Sequence, residues 1–292
     1  MTANALPIEE MKRVEIVCPL QRRRQLGARV DGEGGSPVLL IMGFSMSGRA
    51  WVNQVGPLAG HHRVATYDHA GVGASDPPPL PCTMRSLAAD ALGLMDALGW
   101  RRAHVVGVSM GGMVAQELAL AAPARLRSLT LIATHAGGGL RAMLPTWAGL
   151  AHFVAANVGG RARRLAHLER LLFPPAWLAT ADADGLAALL AHDFHDPAPM
   201  ATRRAQLGAI RGHDTRERLG ALAEMPTLIV RPGQDLLVRP DRGDTLARAL
   251  PHARVLRLDD AGHGAIRQCK DELNEALLGH FATADVGILP DG

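Results

Sequence analysis

Short runs of apolar residues recur along the chain and alternate with longer segments whose apolar residues repeat every three or four positions. Continuous apolar runs rich in Val, Ile and Leu are typical of buried strands, whereas the longer repeat is typical of helices that bury one face. The runs predict eight strands, at Val14–Pro19, Arg24–Val30, Val38–Met42, Arg63–Asp68, Ala103–Val108, Leu126–Thr134, Pro226–Val230 and Ala253–Asp259.

The second pattern predicts helices in the segments between these strands. They cover Trp51–Leu58, Thr83–Gly99, Met113–Ala121 and Arg267–Phe281. Strands that are apolar throughout and separated by helices are typical of a parallel sheet that is covered on both faces. We therefore predict an α/β fold with a mainly parallel, eight-stranded sheet flanked by helices.

The alternation of strands and helices stops between about residues 135 and 225. This segment is rich in Ala and Leu, and it is divided by breaks at Gly137–Gly139, Phe173–Pro175 and Asp196–Pro199. Gly- and Pro-rich breaks of this kind punctuate short helices. We interpret the segment as a helical cap, residues 135–225, inserted after the sixth strand between two parts of one core domain, residues 1–134 and 226–292.

The last helix of the cap is predicted to begin at Asp214. Glu217 follows three residues later, and this spacing resembles a capping box, in which the two side chains satisfy N–H groups at the start of a helix. The predicted helix covers Asp214–Leu222.

The composition fits one large domain and restricts its partners. The chain has 292 residues, 48% of them apolar, which is enough to bury a sizeable core. The formal charge of +3 is small, and the basic runs Arg22–Arg24 and Arg161–Arg164 lack interleaved aromatic residues that could stack on bases. We interpret both runs as solvated faces and expect no nucleic-acid partner.

The cysteines and the N-terminal residues indicate the compartment. Cys18, Cys82 and Cys269 are odd in number and widely spaced, which argues against a disulfide framework or a zinc site. No apolar run approaches the ~18 residues that a membrane span needs. Acidic residues precede any apolar stretch at the N-terminus, unlike in a secretory signal. We expect a cytoplasmic protein with no membrane span.

One serine lies where the sequence predicts a sharp turn. The segment Gly107–Gly111 reads Gly-Val-Ser-Met-Gly, directly after a predicted strand and before a predicted helix. This is the pattern of a nucleophile elbow, in which glycines flank a strained turn that exposes a serine near a helix N-terminus. Because the context matches as well as the five residues, we predict that Ser109 is a nucleophile.

Four further segments make the chain resemble the α/β-hydrolase superfamily. Leu39–Gly48 resembles the strand and loop that supply the oxyanion site in that superfamily, and Tyr67–Asp76 resembles its glycine-rich loop. Pro226–Asp235 resembles the strand that delivers the acid, and Leu258–Gly264 resembles the loop that delivers the histidine. Together these segments span most of the chain outside the cap.

The resemblance implies an α/β-hydrolase fold and an oxyanion site formed by the backbone N–H groups of Phe44 and Met110. Two positions depart from the superfamily pattern. Met42 stands where a histidine usually precedes the glycine, so the usual anchoring of this loop is lost. Ala70 stands at the usual arginine position, which removes a structural guanidinium and no catalytic group.

A serine hydroxyl needs a base to react at neutral pH, and an imidazole oriented by a carboxylate is suited to that role. We predict that His263 is the base and Asp235 the orienting acid, because the order Ser109, Asp235, His263 is the order of this fold. Each of the three follows a predicted strand, where open α/β sheets place their sites. Asp259 and Asp260 remain alternatives to Asp235.

Several other residues are candidates for the substrate pocket. Met46, His135, Trp147 and Phe153 are the candidates to line it, although packing against the core is the better explanation for any single apolar side chain. The segment His192–Pro197 holds two His and two Asp, but no further ligand at metal-binding spacing completes a set. We interpret that segment as a polar helix end and expect neither a metal nor a cofactor.

We therefore expect a serine hydrolase that cleaves a carboxylic ester with an apolar moiety through an acyl-enzyme on Ser109. Three alternatives within the superfamily stay open: a C–C bond hydrolase, an enol-lactone hydrolase and a cofactor-free haloperoxidase-like enzyme. An alternative of another class is a non-catalytic ligand receptor on a hydrolase fold. The expected partner is a small apolar ester, and a homodimer is one option for the oligomeric state.

Overall fold

An eight-stranded, mostly parallel sheet forms the centre of the fold. The computed structural model describes residues 10–18, 22–139, 144–156, 158, 160–194 and 196–286. The strands are β1 (Lys12–Cys18), β2 (Arg22–Asp31), β3 (Pro37–Ile41), β4 (Arg63–Tyr67), β5 (Ala103–Val108), β6 (Leu126–Ile132), β7 (Thr227–Pro232) and β8 (Arg254–Leu258).

The strand order is β1-β2-β4-β3-β5-β6-β7-β8. The first two strands and the β2–β4 pair run antiparallel, and the remaining neighbours run parallel. The predicted α/β fold is therefore confirmed, with strand ends that differ from the predicted ones by a few residues. Pro19, the predicted end of the first strand, lies outside the described residues.

The basic run Arg22–Arg24 begins β2, which starts two residues earlier than predicted. Cys18 of β1 pairs with Arg22 in the antiparallel ladder of β1 and β2, so the run belongs to the antiparallel edge of the sheet. Arg23 pairs with Glu15, and Arg24 pairs with the buried carboxylate of Asp90. The positive charge of these two arginines is thus matched within the fold.

Helices cover both faces of the sheet. Those of the core are α1 (Val52–Ala59), α2 (Met84–Ala97), α3 (Met110–Ala121), α9 (Pro240–Ala249), α10 (Ala265–Gln268) and α11 (Lys270–Asp285). Alternate side chains of each strand enter different apolar clusters. Leu39 of β3 packs with α2 and α3, whereas Leu40 packs with α1 and α11. This alternation explains why the central strands are apolar throughout.

Residues 135–225 contain five helices in their described part. These are α4 (Trp147–Ala155), α5 (Arg161–Leu172), α6 (Pro175–Leu178), α7 (Ala183–Asp193) and α8 (Met200–Arg211). They follow β6 and precede β7, and we refer to residues 135–225 as the cap segment. Within the described residues, no helix is both long enough and apolar enough to span a membrane.

The helix predicted at Asp214–Leu222 is wrong. Asp214 forms an isolated antiparallel bridge with Gly137, and only Leu219–Leu222 form a short 3₁₀ turn. The Asp214 carboxylate accepts hydrogen bonds from the backbone N–H and the side chain of Arg216 and not from Glu217 N–H. The bridge ties the end of the cap segment to the residues that follow β6, and this tertiary pairing overrides the local capping signal.

Among the buried histidines, four have strongly lowered pKa values. Burial lowers the pKa to about 4 in each, because the charged imidazolium loses its hydration. The four are His104, His135, His213 and His280, and none is more than 6% exposed.

The free energy of unfolding should therefore decrease as the pH falls from about 6.5 to 4. An unfolded histidine binds a proton near pH 6.5, whereas the buried ones stay neutral down to about pH 4. The unfolded chain then binds more protons, and each such group contributes a slope of up to about 1.4 kcal/mol per pH unit. Urea unfolding between pH 7.5 and 4.5 measures the slope.

The variant His280→Leu should make this pH dependence shallower, because it removes one of the four titrating groups. His252→Gln is the matched control, since His252 is exposed. A slope that is the same in wild type, His280→Leu and His252→Gln would contradict the assignment of the pH dependence to buried histidines.

Candidate active site

Ser109 occupies a strained turn between β5 and α3. Its backbone has φ 55° and ψ −120°, a conformation that residues other than glycine rarely adopt. The flanking glycines make this turn possible. A Cβ on Gly107 would lie 2.3 Å from the carbonyl oxygen of Gly111, and a Cβ on Gly111 would lie 2.1 Å from the carbonyl oxygen of Ile41. Both positions therefore exclude any side chain.

His263 and Asp235 form a direct buried contact. The Nδ1 atom of His263 lies 2.7 Å from Oδ2 of Asp235, whose side chain is completely buried. The other carboxylate oxygen accepts hydrogen bonds from the N–H groups of Leu237 and Val238. Because an ionised carboxylate only accepts hydrogen bonds, Nδ1 carries the proton, and Nε2 of the neutral ring is left as an acceptor.

The two other aspartates near the histidine do not make this contact. Asp259 has a side chain that is 79% exposed and pairs with Arg231. Asp260 accepts a weak hydrogen bond from Gln234 at the surface. Of the three candidate acids, the structure brings only Asp235 to His263.

Ser109 and His263 line the same cavity. No hydrogen bond joins the Ser109 hydroxyl to the imidazole within the described residues, although both side chains lie at the same cavity. Contacts of this kind often tighten when a substrate is bound. The geometry thus places a hydroxyl, an imidazole and a carboxylate at one end of the sheet, after β5, β8 and β7 respectively.

The loop after β3 lies against Ser109. A Cβ on Gly43 would lie 3.4 Å from the Cβ of Ser109 and 3.9 Å from its Oγ. Phe44 follows in this loop, and Met110 begins α3. In the described part of the chain, the N–H groups of Phe44 and Met110 donate to no backbone or side-chain acceptor. Two backbone donors near one serine can receive a developing negative charge.

His69 anchors the loop at the position where Met42 departs from the superfamily pattern. Its Nε2 donates a 2.8 Å hydrogen bond to the carbonyl oxygen of Met42, and burial lowers the pKa of this ring. Asp68 provides a second anchor, because its carboxylate accepts hydrogen bonds from the Ser47 hydroxyl, Gly48 N–H and Ala74 N–H. These contacts hold the loop without the usual histidine and arginine side chains.

The cavity has a volume of about 310 Å³ and is walled mainly by apolar side chains of the core and the cap segment. Met46, His135 and Phe153, three of the predicted pocket residues, line this cavity. Phe153 of α4 also contacts Phe44, with ring centroids 6.3 Å apart. Trp147 does not line the cavity. It begins α4 and is 88% exposed, because the inward position of that first turn belongs to Gly149, which packs against Leu236.

Three hydrogen bonds connect the cap segment to the loops of the site. The N–H of Gly264, beside His263, donates to the carbonyl oxygen of Leu172. Thr146 donates from its N–H to the carbonyl oxygen of Leu236, in the loop after Asp235. The N–H of Ser45, in the loop after β3, donates to the side chain of Gln206. The cap segment therefore supports the loops after β3, β7 and β8, which carry Phe44, Asp235 and His263.

A buried ion pair provides a fourth connection. Arg267 of α10 donates to both carboxylate oxygens of Asp193, at 2.7 and 2.9 Å, and to Asn53. Asp193 comes from the segment His192–Pro197, so this carboxylate serves a cap-to-core contact. Among the described residues, no group of three or more His, Cys, Asp or Glu could hold a metal. His195 of the same segment lies outside the described residues.

Sequence reasoning missed Arg267, Gln206 and His69 as parts of the site. A signal exists for Gln206, because the spacing of α8 places it on the buried face with Thr202 and Ala209. A long polar side chain on an otherwise small and apolar face predicts a tertiary hydrogen bond. Arg267 and His69 carry no comparable signal in the sequence.

Known proteins of similar sequence and structure include several hydrolases. The family model described as alpha/beta hydrolase fold matches residues 36–266. The chain is 33% identical over 256 residues to an Azorhizobium caulinodans protein named "Putative carbamate hydrolase RutD", covering 86% of this chain and 93% of the relative.

Two solved structures resemble the fold closely. The enol-lactonase from Burkholderia xenovorans LB400 has a TM-score of 0.76 at 26% identity, covering 92% of this chain and 99% of that one. A thermophilic esterase from Thermogutta terrifontis has a TM-score of 0.78 at 25% identity, covering 94% and 99%.

Asp193→Ala should lower the free energy of unfolding by about 3–5 kcal/mol, because it leaves the Arg267 guanidinium buried without its counter-charge. The side chains of the pair are only 4% and 5% exposed. Urea unfolding at pH 7.5 measures the change. Asp271→Ala is the matched control, since it breaks an ion pair whose carboxylate is 87% exposed and should change stability by less than about 1 kcal/mol. Equal effects of the two substitutions would contradict this.

Proposed function

Because the chain belongs to the α/β-hydrolase family, we propose that it is a serine hydrolase that cleaves a carboxylic ester with an apolar moiety. One observation carries the proposal. The buried Asp235–His263 contact of 2.7 Å opens onto an apolar cavity that Ser109 also lines. This arrangement combines a nucleophile, a base and an orienting acid with a site from which apolar side chains exclude water.

The first half of the reaction forms the acyl-enzyme. Ser109 Oγ attacks the ester carbonyl carbon while Nε2 of His263 takes the hydroxyl proton, and the carbonyl electron pair moves to oxygen. Phe44 and Met110 donate their N–H groups to this oxyanion. The oxyanion then collapses, the bond to the leaving oxygen breaks, and His263 returns its proton to the leaving alcohol.

The second half releases the acid. A water molecule attacks the acyl carbon while His263 takes a proton from the water. The bond between the acyl carbon and Ser109 Oγ then breaks as His263 returns that proton to the serine. Asp235 keeps its charge throughout and stabilises the imidazolium that forms twice in each cycle. These steps use only groups of this chain and water.

The shape and polarity of the cavity support an apolar substrate of moderate size. A volume of about 310 Å³ lies at the lower end of the range for small-molecule sites. Leu150, Phe153 and Leu172 of the cap segment contribute apolar walls. These walls would remove the acyl chain from water, while the ester carbonyl lies next to Ser109.

A carbamate is the second candidate substrate class. It is favoured by the relative of 33% identity whose name describes a carbamate hydrolase. Attack by Ser109 on a carbamate carbonyl requires the same base and the same oxyanion donors. A p-nitrophenyl ester and a p-nitrophenyl carbamate of matched size distinguish the two, because the preferred class should show the higher kcat/KM.

Ser109→Ala should abolish ester turnover. We expect wild type to hydrolyse p-nitrophenyl esters with an optimum at medium acyl length, and the variant to lose about 10⁶-fold in kcat. Release of p-nitrophenol measures both. Ser128→Ala is the matched control, because Ser128 lies on the neighbouring strand β6 and hydrogen-bonds to His104. Release that survives Ser109→Ala, or no release with any ester, would instead support a ligand receptor.

Asp235→Asn should lower kcat by about 10⁴-fold at neutral pH, because an amide no longer holds the proton on Nδ1 of His263. Asp259→Asn is the control, since the exposed Asp259 carboxylate does not contact the ring. If Asp259→Asn caused the large loss and Asp235→Asn did not, the acid would be misassigned.

A further inference from the structure

The loop after β3 contains a turn that is unfavourable for its sequence. Gly43 and Met46 close the turn, with the Met46 N–H 3.4 Å from the Gly43 carbonyl oxygen. Ser45, at the third position, has φ 61°. A positive φ at that position is the signature of a type II turn, which normally places Gly or Asn there. A serine needs an additional interaction to remain in this conformation.

Gln206 supplies that interaction from the cap segment. Its Oε1 accepts a 2.9 Å hydrogen bond from the N–H of Ser45, which belongs to the central peptide of the turn. The Gln206 side chain is fully buried, and its Nε2 has no partner among the described residues. An amide buried with half of its hydrogen-bonding capacity unused is costly. A functional role for its hydrogen bond to Ser45 would explain why this amide is buried despite the cost.

The helix that carries Gln206 is firmly seated on the core. Thr202, one turn earlier on α8, packs directly on the glycine-rich loop, where a Cβ on Gly71 would lie 2.4 Å from its Oγ1. That loop includes His69 and Asp68, which hold the start and the end of the loop after β3, at Met42 and Gly48 respectively. Gln206 therefore extends from a fixed platform to the centre of the turn.

We propose that Gln206 is a positioning residue that keeps the Phe44 N–H directed at the oxyanion. The inference rests on the proposed function, because it assigns Gln206 a task in that reaction. Without the acceptor, the central peptide can rotate to the type I form, in which the third residue has φ near −90°. Rotation of this peptide changes the ψ angle of Phe44, the residue whose N–H group is the proposed oxyanion donor. Gln206 does not touch the substrate in this role.

Gln206→Met tests the proposal, since methionine fills a similar volume but accepts no strong hydrogen bond. We expect kcat for the best p-nitrophenyl ester to fall by about 10- to 100-fold, less than the 10²–10³-fold cost of losing a donor altogether. KM should stay within about twofold, because a donor aimed at the oxyanion acts in the transition state. Inhibition by phenylboronic acid, which forms a tetrahedral adduct with serine, should weaken in parallel with kcat/KM.

Gln206→Glu should restore most of the lost turnover. Burial favours the protonated form of a carboxyl group, which is neutral and keeps an acceptor oxygen at the same place. Asn274→Leu is the matched structural control, because Asn274 is a buried amide on α11 that, within the described part of the chain, makes one hydrogen bond, to the Asn53 carbonyl oxygen, and leaves its own oxygen without a partner. It should lower the melting temperature and leave kcat unchanged.

Two results would overturn the inference. One is a kcat of Gln206→Met equal to that of wild type. The other is a loss that Gln206→Glu does not restore and that Asn274→Leu reproduces at equal melting temperature. Failure of the proposed function is distinguishable, since wild type would then show no turnover that depends on Ser109. In that case the weakened boronate affinity of Gln206→Met would be absent as well.

Discussion

The left-handed turn at Ser109 is the constraint on which the rest of the site depends. It requires β5, the start of α3 and the end of β3 to approach so closely that Gly107 and Gly111 can carry no side chain. The sheet thereby fixes the hydroxyl at the carboxyl end of the central strand β5. Every other group of the site has to be brought to that fixed point, and His263, Asp235 and Phe44 all come from loops.

Loops are the least stable parts of such a fold, so their precision has to come from other contacts. Two loops of this chain are pinned through backbone groups, at Gly264 and Leu236, and the third through the side chain of Gln206. All three partners belong to the cap segment. The ion pair of Arg267 with Asp193 also connects the cap segment to the core, in a region with little access to water. The cap segment thus forms part of the framework of the site as well as a wall of the cavity.

The sheet could be predicted from the sequence because its signals are local, and together with the superfamily resemblance they led to Ser109, Asp235 and His263 as candidates for the site. Apolar runs mark the strands, Ser109 follows β5 directly, and Asp235 and His263 follow β7 and β8 after a few loop residues. The cap segment behaves differently. Asp214 has the local pattern of a helix start, but its bridge to Gly137 determines its conformation. Trp147 has a large apolar side chain of the kind that lines pockets, yet the packing of Gly149 turns it outward. Such outcomes depend on tertiary neighbours, which a single sequence does not display.

Two of these cap contacts are made by backbone groups. The support of the loops therefore does not depend on the side chains that determine which molecules the cavity accepts. The carbonyl groups of Leu172 and Leu236 hold their partners whatever side chains those residues carry. Cavity-facing side chains of the cap segment can therefore be exchanged to admit new substrates while the loops keep their positions. Transplanting a whole lid from another enzyme is a different operation, because a graft that lacks matching carbonyl and amide groups would leave the histidine and acid loops without support.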